Sequence, residues 1–181
     1  LTRDAGMRGF FVLTGAFIVL VLANRWIRRP ILAVRNAFLV LEVRQEAPGI
    51  STLILVPALQ NHPGLPFRPG QFAWIWLDSP WGALRSHPFT IASGADQPRR
   101  LEFTVRQVGD FTSMLGSLSK GRRVYVDGPY GAFNDDHQRS RGLLLVAGGV
   151  GITPMISILR TLAARGDRRP HCLVVSASQP Q

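Results

Sequence analysis

The chain has 181 residues, 46% of them apolar, enough for one or two small domains with a real core. Its formal net charge is +10, and 20 of its 21 basic residues are arginine, Lys120 being the one lysine. A single cysteine, Cys172, excludes an internal disulfide and any four-cysteine iron–sulfur or zinc site within this chain; beside Leu173 and Val174 it is expected in a core.

The first element is Phe10 to Ala23, an uncharged apolar run without a polar stripe. Trp26 stands where an interfacial aromatic belongs, and Arg25, Arg28, Arg29 and Arg35 cluster beyond it. This pattern predicts a transmembrane helix within residues 1–35, its C-terminal flank on the cytoplasmic side. A buried helix and a signal peptide compete with that reading, but no small-x-small cleavage site follows Ala23.

From Asn36 the texture changes. AFLVLEVRQE and ISTLILVPAL are strand-like runs separated by Ala47-Pro48-Gly49, and a loop rich in Pro and Gly follows from Asn61 to Gly70. QFAWIWL, PFTIAS, LEFTVRQV and RRVYVDG continue the strands, and Asp110–Ser119 reads as a short helix with Asp110 as its N-cap. About six short strands and one helix predict an antiparallel β-barrel over residues 36–138.

Residues 139–181 read differently. GLLLVA is a continuous apolar run of the kind found in buried parallel strands. GGVGITP follows, then an amphipathic helix ending at Gly166, then the strand HCLVVSAS. That is one β-α-β unit, the start of a Rossmann-like α/β domain. The missing further strands and the leading Leu1 predict a piece of a longer chain.

Four constellations carry chemistry. In Arg85-Ser86-His87-Pro88-Phe89-Thr90, an aromatic face and a hydroxyl suit a flavin ring, although a strand with a buried Phe is the plain alternative. Arg106, at a strand end before Gly109 and Thr112, joins a guanidinium to a helix N-terminus, as a pyrophosphate requires; a solvated arginine is the alternative. Gly128-Pro129-Tyr130-Gly131 makes a tight turn. Gly148, Gly149, Gly151, Thr153 and Pro154 join a strand to a helix in a variant of the dinucleotide fingerprint, with Pro154 at the third glycine position.

RSHPFTIAS, FTVRQVGDFT, VDGPYG and LLLVAGGVGITP, in this order, resemble the ferredoxin–NADP⁺ reductase superfamily. The HPFT form behind an apolar helix resembles its membrane branch, the ferric reductases and NADPH oxidases. The resemblance implies FAD, with His87, Pro88, Phe89 and Thr90 lining it, Phe89 against the ring and Thr90 near its redox nitrogen. It implies Arg106, Gly109 and Thr112 at the FAD pyrophosphate. NADPH or NADH would lie on Gly148, Gly149, Gly151, Thr153 and Pro154, and Tyr130 would stand where flavin and nicotinamide meet. Thr90 and Tyr130 are thus the catalytic candidates, and no metal site is implied.

The same resemblance implies electron transfer from NAD(P)H through FAD to haem, then to ferric iron or oxygen, at the cell membrane with both nucleotide-binding domains cytoplasmic. His62, His87, His137 and His171 all lie outside the apolar helix, so the haem would belong to a membrane domain absent from this chain. Ser176-Ala177-Ser178-Gln179 holds no arginine for a 2′-phosphate, which leaves NADH and NADPH both open. A flavin subunit serving an iron–sulfur or other protein acceptor and a non-catalytic flavin module are the alternatives. Nucleic acid is not an expected partner, because the arginines are scattered outside the basic cluster after the apolar run.

Overall fold

The computed structural model describes residues 2–24, 27, 34, 36–79, 82–134 and 140–176. Helix α1 spans Thr2–Ala23, and its side chains from Phe10 to Leu20 are exposed on all sides. The expected membrane crossing is overturned: among the described residues no helix is long and apolar enough to span a bilayer. The physical reason is length. Arg3, Asp4 and Arg8 occupy the start of α1. The uncharged stretch 9–23 then measures about 22 Å at ~1.5 Å per residue, against a hydrocarbon core of about 30 Å. Arg25, Trp26, Arg28, Arg29 and Arg35, on which the orientation argument rested, lie outside the described residues.

The barrel follows. Strands β1 (Ala37–Ala47), β2 (Ile50–Pro57), β3 (Phe72–Trp76), β4 (His87–Thr90), β5 (Leu101–Arg106) and β6 (Arg123–Tyr130) form one sheet in the order β4-β3-β6-β1-β2-β5. Every paired neighbour is antiparallel. Alternate residues point inward, as the period of a strand demands. Phe38, Val40, Leu53, Leu55, Ala73, Ile75, Leu101, Phe103, Val124 and Val126 thereby meet in one buried cluster. Helix α2 (Asp110–Gly116) plugs one end of it with Leu115. Gly109, not Asp110, is the N-cap of α2, because Asp110 already has helical geometry.

The loops after β2 and after β4 are stitched to each other. Arg99 donates to the carbonyls of His62 (2.5 Å) and Gln60 (2.8 Å). Leu65 N–H reaches Pro98 O at 2.8 Å, and Gly64 has φ +90 there; a Cβ at Gly64 would stand 2.1 Å from that carbonyl.

The second unit is β7 (Leu143–Gly148), a short 3-10 turn (Gly149–Gly151), α3 (Ile152–Ala164) and β8 (His171–Ser176). Strands β7 and β8 are parallel, from Leu143 opposite His171 to Gly148 opposite Ser176. Gly166, at φ +69, ends α3 and lets Asp167 N–H return to Leu162 O at 3.0 Å. Arg169 holds the unit's edge by donating to Asp167 and to Ser140 O (3.0 Å). Helix α3 covers one face of the strand pair through Leu145, Ile158 and Leu162. The other face is open: Leu144 is 70% exposed and Val146 63%. Among the described residues β7 is thus covered on one face, where burial on both was expected, and Cys172, expected in a core, is exposed on β8. Residues 177–179, which bear on NADH versus NADPH, lie outside the described residues, as does His137.

Candidate functional site

Strands β4 and β5 are the two ends of the barrel's sheet, so no ladder joins them. Their one recorded backbone bond lies past the end of β4, where Ala92 N–H donates to Glu102 O at 2.7 Å. The barrel thus has a seam flanked by two strand edges. Edge N–H and C=O groups need partners, and a polar ligand can supply them. The HPFT motif is β4 itself, and Arg106 is the last residue of β5.

Register decides which side chains meet. Thr90 lies opposite Phe72, and Phe72 lies opposite Tyr130, so these three share the outer face. The Phe72 and Tyr130 rings are 6.0 Å apart. Tyr130 O–H donates to Asp127 at 2.9 Å. Pro88, opposite Trp74, is on that same face. His87 and Phe89 point the other way and meet Phe111 of α2: His87 stacks on it at 4.2 Å, and Phe89 lies parallel to it at 6.2 Å. Phe89 and Thr90, assigned to one ring by resemblance, therefore occupy opposite faces of β4.

Arg106 is exposed and has no ion-pair partner among the described residues. Beyond it, Thr112 folds the loop: its Oγ1 accepts the N–H groups of Val108 (2.9 Å) and Gly109 (3.0 Å) and donates to Gly109 O (2.9 Å). That hydroxyl shapes the turn, while the first N–H groups of α2 remain without helical partners. Beside α2 lies a cavity of about 430 Å³ lined by Trp76, Leu77, Gly82, Arg85, Phe111 and Met114.

The glycine loop is an open cradle. A Cβ at Gly149 or Gly151 would meet nothing within 4 Å, and at Gly148 only Ser176 O at 4.0 Å. Gly149 has φ +51, which explains the glycine. Thr153 is buried and donates to Val150 O at 2.7 Å, so it braces the turn, and Pro154 sits in the first turn of α3. A second cavity, of about 240 Å³, lies between this helix start and the barrel; Ile152, Thr153, Ile156, Thr104 and Ala92 line it.

The residues missed from sequence are those joining the two units. Ser157, Arg160 and Thr161 of α3 all contact the barrel, and Glu102 receives both Arg160 (2.7 Å) and Arg100 (3.1 Å). Burial pushes the Glu102 carboxyl up, but the guanidinium groups of Arg160 and Arg100 more than offset that and hold it below the ordinary carboxylate range. The available signal was the hydroxyl stripe Thr153, Ser157, Thr161 on a helix otherwise apolar on its buried side. Among the described residues, no group of His, Cys, Asp and Glu could hold a metal ion.

Comparison with known proteins agrees with this geometry. Residues 51–134 match the FAD-binding domain family. The chain is 32% identical over 139 residues to the stachydrine N-demethylase reductase subunit of Rhizobium meliloti (strain 1021), covering 74% of this chain and 38% of that protein. It is 33% identical over 112 residues to ferric reduction oxidase 4 of Arabidopsis thaliana, covering 59% and 16%. Phthalate dioxygenase reductase superimposes with a TM-score of 0.67 at 26% identity over 80% of this chain and 44% of that one. An Amycolatopsis cytochrome P450 reductase does so with 0.66 at 29%, over 79% and 43%. The chain spans less than half the length of these relatives.

Proposed function

Because residues 51–134 are an FAD-binding domain of the ferredoxin–NADP⁺ reductase superfamily, we propose that this chain is the flavin-binding part of an NAD(P)H-dependent oxidoreductase. The observation that carries the reading is the seam between the edge strands β4 and β5, with the exposed guanidinium of Arg106 at one end and an open glycine cradle on the adjoining unit. FAD held there would supply the redox chemistry, a hydride (two electrons and a proton) being taken from a reduced nicotinamide and the electrons passed to an acceptor.

The chain's own residues bind and orient. Thr90 offers a hydroxyl to the ring from the outer face it shares with Tyr130. His87, Phe89 and Phe111 form an aromatic wall below the seam. Arg106 and the first N–H groups of α2, beside Gly109, neutralise the pyrophosphate, with Thr112 holding that loop in shape. The apolar pocket of Trp76, Phe111 and Met114 takes the aromatic end of the dinucleotide. Gly148, Gly149, Gly151 and the start of α3, braced by Thr153 and Pro154, hold the phosphates of NADH or NADPH.

The acceptor is ferric iron or oxygen reached through a haem-bearing partner, a reading supported by the ferric reduction oxidase relatives. A second reading, delivery to a separate enzyme component, is supported by the N-demethylase reductase subunit, which aligns over 74% of this chain, and by the likeness to phthalate dioxygenase reductase.

The test is the visible spectrum of the purified protein after FAD addition and removal of excess, followed by NADH or NADPH. A retained flavin that either nucleotide bleaches is expected. Arg106→Ala should weaken FAD binding about tenfold or more, since a charge-assisted hydrogen bond contributes about 1.5–3 kcal/mol. Thr90→Ala should slow bleaching more than it weakens binding. Unchanged FAD affinity in Arg106→Ala overturns the phosphate assignment.

A further inference from the structure

Helix α3 begins where the glycine loop ends, and the part of its buried surface that meets the barrel is polar. Ser157 and Thr161, four residues apart on one side, are 0% and 1% exposed. Ser157 Oγ donates to Ser93 O at 2.8 Å and accepts Gly70 N–H at 3.4 Å. Thr161 Oγ1 accepts Ala95 N–H at 2.9 Å and donates to Ser157 O at 2.8 Å. Arg160 donates to Ala92 O at 3.0 Å and to Glu102 at 2.7 Å. These barrel partners are not spread around the sheet. Ala92, Ser93 and Ala95 immediately follow β4, which ends at Thr90, and Gly70 leads into β3, which pairs with β4.

One helix turn thus grips the segment next to HPFT, while the same helix starts at the glycine cradle. An apolar contact between two units tolerates sliding, because its energy is non-directional. Buried hydroxyls and a charge pair do not, because each fixes a donor and an acceptor within a few tenths of an ångström and is expensive to leave unmade. Transfer between two bound groups is sensitive at that scale: a misplacement of 1 Å can lower the rate about 100-fold.

We infer that Ser157, Arg160 and Thr161, with Glu102 opposite, are positioning residues that set the separation between the flavin seam and the nicotinamide cradle. This rests on the proposed function. It adds a register-fixing role for side chains that belong to neither the HPFT strand nor the glycine loop.

The test uses the intact protein with Ser157→Ala, Arg160→Leu, Arg160→Lys and Glu102→Gln, and two readouts. Without nucleotide, Ala95 amide exchange accelerates at least tenfold in Arg160→Leu, which removes no bond to Ala95, while Leu53 and Phe103 keep wild-type rates. With FAD bound and NADH or NADPH saturating, the limiting rate of flavin bleaching falls at least tenfold in Arg160→Leu and Glu102→Gln. FAD affinity stays within twofold, and Arg160→Lys recovers part of the rate. Ser157→Ala shows the same rate–affinity split and decides the matter if Arg160→Leu does not fold. Wild-type protein that retains no FAD, or that neither nucleotide reduces, overturns the proposed function and leaves the exchange readout to judge the clamp. Unchanged Ala95 exchange, or a rate loss matched by an equal loss of FAD affinity, overturns the clamp.

Discussion

The barrel and the β7–α3–β8 unit bury their apolar residues in opposite ways. The barrel wraps its strands around one cluster of sixteen buried side chains. The second unit has three, Leu145, Ile158 and Leu162, and leaves one sheet face open. What holds the second unit in place is instead a polar seam against the barrel, made of Ser157, Arg160, Thr161 and Glu102. The difference teaches that the two units have separable sources of order: hydrophobic closure in one, directional bonds to a neighbour in the other.

The sharpest way to break that comparison is Phe103→Ala. Phe103 is fully buried at the barrel's centre, so its loss should cost about 3–5 kcal/mol, read from urea unfolding. A cost below about 1 kcal/mol would deny that one closed core dominates.

Acid gives a smaller effect, confined to the seam. The folded-state pKa of Glu102 lies below its unfolded value, so its contribution is complete above about pH 4.5 and fades as pH falls through the lowered folded value. Proteolysis of the β8 region should therefore outpace barrel cleavage at acidic pH and not at pH 7, and Glu102→Gln should remove the contrast. Equal cleavage of both units at every pH would count against separable order.

The smallest effect is the most telling about β7. Leu144→Ala should change stability by no more than about 0.5 kcal/mol, because the side chain is 70% exposed. A loss of about 2 kcal/mol or more would mean that this face is covered in solution.

Much of this was legible in the sequence, and the reasons are local. The aliphatic run Leu53-Ile54-Leu55 and the alternation of Leu101, Phe103 and Val105, with turn residues between, predict barrel strands from local pattern alone. GGVGITP between an apolar run and an amphipathic stretch marks the strand–loop–helix junction for the same reason. What failed depended on neighbours. GLLLVA reads as buried on both sides, but burial belongs to whatever covers a face, and among the described residues α3 covers one of the two. The apolar run after Arg8 looked like a bilayer span until its charged start shortened it. The hydroxyl stripe Thr153, Ser157, Thr161 marks a polar side of α3, but its partner was not legible, because Glu102 and Arg160 are 58 residues apart and neither local pattern announces the other.

The arginine excess has a consequence of its own. Arg99 clasps two carbonyls, Arg160 a carbonyl and a carboxylate, and Arg169 a carboxylate and a carbonyl. A guanidinium is a flat fork able to serve two acceptors in one plane, which a lysine's point charge cannot reproduce. Part of the excess positive charge is therefore committed to stitching the chain to itself. Swapping these three for lysine would keep the isoelectric point nearly unchanged and still unpick the loops they hold.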